Sequence, residues 1–75
     1  MFTLNMLAPG QSAEVVCVSG ADSISSRLRE MGFVPGEAVR LLRLAPLGDP
    51  QKCMIHGSRI ALRNREAQRV VVSPQ

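Results

Sequence analysis

Proline and glycine cut this chain into short pieces. Pro-Gly pairs stand at 9–10 and 35–36, single glycines at Gly20, Gly32 and Gly57, and Pro46, Gly48 and Pro50 fall within five positions. Proline lacks an amide donor and fixes φ, while glycine opens left-handed backbone, so regular elements tend to end at these sites. The stretches between them are mostly of strand length, which predicts a small β-structure with tight connections. A chain of 75 residues buries only about 60% of the surface it exposes when unfolded, enough for one thin core. One domain spanning 1–75 is therefore expected. With 45% apolar and 20% charged residues, the chain lies above the level at which short sequences stay disordered.

The pieces read as follows along the chain. Residues 1–8 can form one helical turn capped by Thr3 or Asn5, with Leu4 and Leu7 on one side. A Pro9-Gly10 turn leads to a strand over 13–18, whose Val15, Val16, Cys17 and Val18 predict a mostly buried segment. Asp22 or Ser23 can cap a two-turn helix in which Ile24, Leu28 and Met31 share a face and Arg27, Arg29 and Glu30 turn away. Gly32 fits the left-handed position just past the helix, and Phe33 can fold back on Leu28. The Pro35-Gly36 turn starts a second strand over 38–44, in which Val39, Leu41, Leu42 and Leu44 alternate imperfectly with Arg40 and Arg43 and predict partial burial on both faces.

Residues 45–50 form a shaped loop, because two prolines and a glycine exclude regular structure there. Segments 51–55 and 59–62 read as a hairpin around His56-Gly57-Ser58, with Cys53 and Ile55 on one face and Ile60 and Leu62 on one face. Asn64 can cap a helical turn, and Val70-Val71-Val72 supplies a fifth strand. So few residues leave least exposed edge in a closed or nearly closed antiparallel barrel with the helix at one end. The fold class expected is mainly β: a small barrel of about five strands, one short helix and one helical turn.

Charge and chemistry narrow the function. Nine basic against six acidic residues give a net charge of +3, a weak preference for anionic partners. Single-stranded nucleic acid is usually held on exposed aromatic platforms, and this chain has two Phe, no Tyr and no Trp. Cys17 and Cys53 lack the spacing of a disulfide framework or a paired zinc site. No apolar run approaches the roughly 20 residues of a membrane-spanning helix, and residues 1–7 lack the pattern of a signal peptide. A cytoplasmic location follows as an expectation. One His, no Ser-His-acid set, no phosphate-cradling loop and no clustered carboxylates argue against an enzyme.

Leu7, Pro9-Gly10, Arg27-Leu28, Glu30-Met31-Gly32-Phe33, Pro35-Gly36, Ala45-Pro46-Leu47-Gly48-Asp49-Pro50, Gly57, Ile60-Ala61-Leu62-Arg63 and Glu66-Ala67 together form a pattern that resembles the ferrous iron transport protein A (FeoA) family. The resemblance implies an SH3-like barrel in the bacterial cytoplasm. It also implies a non-enzymatic accessory role, binding the cytosolic part of the membrane ferrous iron transporter FeoB and modulating its assembly or GTPase cycle. The family includes the C-terminal domain of iron- and manganese-dependent repressors, which makes a regulatory or nucleic-acid-binding module the alternative. No cofactor and no membrane insertion are implied, and a homo-oligomer stays open.

Candidate contacts fall on the helix end and the proline-rich loop. Pro46, Leu47, Gly48, Asp49 and Pro50 make a stiffened loop that loses little entropy on binding, and the alternative is a barrel corner needing that geometry. Arg27, with Met31 and Phe33 beside it, either meets a partner or ties the helix to the loop through Asp49. Surface solvation is the other reading for Arg27, and Arg63 carries the same ambiguity. Cys17, Cys53 and His56 are the remaining soft ligands, and no metal site is expected of them, because both cysteines fall in apolar strands where Cys is commonly a small buried residue.

Overall fold

The computed structural model describes residues 1–44, 46–47 and 49–75. Its strands are β1 (Ser12–Val18), β2 (Ala38–Leu44), β3 (Gln51–Ile55), β4 (Ser58–Leu62) and β5 (Val70–Pro74), with helices α1 (Ser23–Glu30) and α2 (Asn64–Ala67). A 3-10 turn over Leu4–Met6 precedes them. The strands form one antiparallel sheet in the order β4-β3-β2-β1-β5, wrapped around a single cluster that includes Leu4, Leu28, Phe33, Leu41, Ile55 and Val70. The outer side of β5 is covered by the first residues: Thr3 bridges Val71, and the Val72 amide donates to the Phe2 carbonyl at 2.9 Å.

Two bulges explain where the strands depart from the expected patterns. In β1 the pairing shifts between Val15, opposite Val72, and Cys17, opposite Val71. The extra residue breaks the alternation, so Val16 and Cys17 both point outward. The expected burial of that run holds for Val15 and Val18 and is corrected at Val16 and Cys17. In β2 the shift falls between Leu41 and Arg43. Leu42 is half-buried, and Arg43 and Leu44 are exposed, so burial is complete at Val39 and Leu41 and only partial, at Leu42, beyond them.

Turns and caps follow local chemistry. The Gln11 amide donates to Ala8 at 2.9 Å and the Glu37 amide to Val34 at 3.1 Å, closing the two Pro-Gly turns. Helix α1 is capped at its start by Asp22, whose carboxylate accepts from the Ser25 amide at 3.1 Å. It ends in the expected Schellman arrangement: Phe33 N–H donates to Leu28 O at 3.2 Å and Gly32 N–H to Arg29 O at 3.1 Å, with Gly32 at φ 111°. The β3–β4 turn is tighter than the sequence suggested. His56 and Gly57 alone form it, both at positive φ (54° and 74°), and Ser58 already pairs with Ile55, a geometry whose twist suits a two-residue hairpin. Strand β5 runs on to Pro74.

Candidate functional site

The expected contact residues are best placed through α2, which the sequence reading treated only as a helical turn. Its N-cap is Arg63, with Asn64 the first helical residue, a correction to the expected cap. The Glu66 carboxylate reaches back and accepts from the Arg63 amide at 2.9 Å. Glu66 is only 7% exposed, and its other oxygen forms an ion pair with Arg27 of α1. Arg27 therefore ties the two helices together, and the suggested link from Arg27 to Asp49 is replaced by this pair. Asp49 instead accepts from the Asn64 amide at 2.9 Å. A carboxylate there meets an otherwise unpartnered first-turn donor.

Around that hub the candidates divide. Arg63, Asp49 and Pro50 border one small concavity at the start of α2. Pro46 is exposed, and Leu47 is 96% exposed, an apolar side chain standing wholly in solvent. Gly48 lies outside the described residues. Met31 is partly buried against the core, and Phe33 is 0% exposed. Phe33 is thus a core residue, and at the helix end Arg27 is exposed and Met31 half-buried.

Other polar groups serve the frame. Arg29, expected to turn away, donates from Nη2 to the carbonyls of Val18 (2.8 Å) and Gly20 (2.9 Å), holding α1 to the end of β1. Arg69 meets Asp22 through two hydrogen bonds of 2.9 and 2.7 Å. These bonds, reinforced by the Ser25 amide, hold the Asp22 carboxyl well below the usual carboxylate range and push Arg69 up. Gln51 donates from Nε2 to Asn64 Oδ1 at 2.9 Å, while its buried Oε1 has no partner among the described residues.

The soft ligands are far from forming one site. Cys17 is exposed on β1, Cys53 is buried in β3, and burial pushes the Cys53 thiol up to about 11. His56 Nδ1 lies 3.6 Å from Glu37 Oε2. Among the described residues, no three His, Cys, Asp or Glu side chains come together as a metal cluster. Among them too, no helix is long and apolar enough to cross a membrane.

Sequence reasoning missed Glu66, Asn64 and Gln51 as the polar joint between loop and helices. The signal was present in part, since a glutamate three residues after a helix cap marks a reciprocal cap. It also passed over the outward row of Arg40, Arg43, Lys52 and Arg59, whose common face appears only once strands are registered.

Comparison with known proteins agrees with this architecture. The family model of the FeoA domain matches residues 2–74. A Fe(2+) transport protein A/Fe(2+) transporter FeoB fusion protein of Porphyromonas gingivalis is 35% identical over 69 residues, covering 92% of this chain and 8% of that protein. This chain thus spans a small fraction of that relative's length. FeoA of Stenotrophomonas maltophilia, described as a procaryotic SH3 domain protein and solved with zinc, matches with a TM-score of 0.88 at 43% identity, covering 97% of this chain and 91% of that one. Iron(II) transport protein A of Clostridium thermocellum matches with a TM-score of 0.91 at 38% identity, covering 97% of this chain and 45% of that one. The five antiparallel strands are therefore an SH3-like fold, as the sequence led one to expect. With its family model matched from residue 2 to residue 74, the chain belongs to the FeoA domain family.

Proposed function

We propose that this domain is a non-enzymatic, cytoplasmic accessory of ferrous iron uptake that binds the cytosolic part of a FeoB-type transporter and modulates its assembly or its GTPase cycle. The observation that carries this reading is the relative that joins a transport protein A segment and FeoB in one polypeptide, because fusion suits two parts that work in contact. Surface chemistry supports it. Leu47 stands 96% exposed beside Pro46, and Asp49 and Pro50 border the same concavity as Arg63, so an apolar tip next to polar groups is presented on a proline-stiffened loop. Arg27 and Met31 extend the proposed contact at the helix end.

Titration of the purified domain against the transporter's cytosolic region, with and without guanine nucleotide, tests the reading. Saturable binding is expected in at least one nucleotide state. Absence of binding up to about 1 mM in every state overturns it, because even a weak contact of about 4 kcal/mol falls within that range.

A further inference from the structure

We propose that the free edge of β4 and the basic face beside it form a docking site for an extended acidic polypeptide segment, which adds to the sheet as a further strand. The proposal rests on the reading of this domain as a partner-binding module and names the kind of segment the partner presents.

The backbone geometry comes from the hairpin. With His56 and Gly57 as a two-residue turn, Ile55 and Ser58 are the flanking pair, and antiparallel pairs then alternate between exchanging hydrogen bonds and not doing so. Cys53–Ile60 and Gln51–Leu62 are bonded pairs in that alternation, and Met54–Arg59 and Lys52–Ala61 are the others. The amides and carbonyls of Arg59 and Ala61 therefore face away from β3. Strand β4 is a terminal strand of the sheet, and among the described residues no backbone group pairs with its outer side. The other terminal strand, β5, is covered by Phe2 and Thr3. Among the described residues one edge is closed and one stands open, which is the template used in strand addition.

The side chains beside that edge set the chemistry of the occupant. Registered across β2, β3 and β4, Arg40, Met54 and Arg59 form one outward row and Arg43, Lys52 and Ala61 the next. Four of the nine basic residues thus share one face, and none of them has a carboxylate within ion-pair distance among the described residues. Glu37, at the turn end of this face, is directed to His56 instead. At the other end the rows run into a concavity of about 360 Å³ bordered by Leu44, Pro46 and Pro50. A strand laid along β4 places every second side chain on this face, so glutamate or aspartate at alternate positions meets Arg59 and Lys52, while its backbone meets the free groups of Arg59 and Ala61.

Other occupants fit less well. A second copy of this chain paired edge to edge would bring two basic faces together. Nucleic acid would find charge but no stacking platform, since Phe33 is buried and Phe2 is partly buried against the core.

Amide-resolved NMR with hydrogen exchange tests the proposal, using a synthetic nonapeptide of alternating glutamate and threonine and a second in which lysine replaces glutamate. The glutamate peptide is expected to shift the Arg59 and Ala61 amides and slow their exchange at least about tenfold. The lysine peptide is expected to do neither. Lys52→Glu with Arg59→Glu is expected to weaken the glutamate peptide at least about tenfold while leaving the melting temperature and the spread of amide resonances intact. Unchanged exchange at Arg59 and Ala61 at millimolar glutamate peptide overturns the proposal. So does equal binding of the lysine peptide, or tighter binding of single-stranded DNA to this face without protection of those amides. The two readings fail separately. Protected edge amides without any binding of the transporter's cytosolic region keep the docking edge and overturn the partner, and a bound transporter region that leaves these amides exchanging freely does the reverse.

Discussion

At Gly32 two separate constraints meet. Its φ of 111° is disfavoured for any residue with a Cβ, and a Cβ built there would collide with the His56 ring. Gly32→Ala is therefore expected to destabilise the domain by roughly 1–2 kcal/mol, read as a lower denaturation midpoint at unchanged slope. An unaltered midpoint would mean that neither constraint operates. Asp22 gives a second residue-scale test through pH. Hydrogen bonds from Arg69 and then Ser25 hold its carboxyl below the ordinary range in the folded chain. A carboxyl lowered on folding adds stability at pH values above its unfolded value, near 4, and loses it as pH falls from there. The stability gap between the native protein and Asp22→Asn is thus expected to be full at pH 7 and to shrink below about pH 4 in thermal melts. A gap that widens on acidification would contradict the assignment.

At the scale of elements, the polar joint of α1, α2 and Asp49 brings distant stretches of chain together. Glu66 is nearly buried and joins Arg27 to the Arg63 amide. Glu66→Ala removes a cap and strands the helix start, and is expected to cost roughly 1–2 kcal/mol in chemical denaturation. Arg27→Ala should cost less, because the arginine is largely in solvent; a larger loss than for Glu66→Ala would make Arg27, and not Glu66, the centre of the joint. This joint marks how far the sequence could be read. The helix end at Gly32-Phe33 and the two Pro-Gly turns were legible because each depends on neighbours in the chain. The partnership of residues 27 and 66 was not, since it depends on where two distant helices meet. The bulges at Val16 and Leu42 were hidden for a related reason. An extra residue in a strand reads as a continuous apolar run, and only the partner strand shows that Val16 and Cys17 face outward together. Phe33 illustrates the opposite case: the same motif that returned its amide to Leu28 placed its side chain in the core.

For the whole molecule, the thin core and the exposed candidate residues are separate sets. Burial of Leu4, Leu28, Phe33, Leu41, Ile55 and their neighbours holds the sheet, while Leu47, Arg63 and the basic outer face of β2, β3 and β4 remain in solvent. Changes at Leu47 can therefore separate binding from folding. Titration of the transporter's cytosolic region with the native domain and with Leu47→Asp is the most direct measurement. Saturable binding with a Kd below about 1 mM is expected in at least one guanine nucleotide state. Leu47→Asp should weaken it at least about tenfold at an unchanged melting temperature. No binding in any nucleotide state would contradict it.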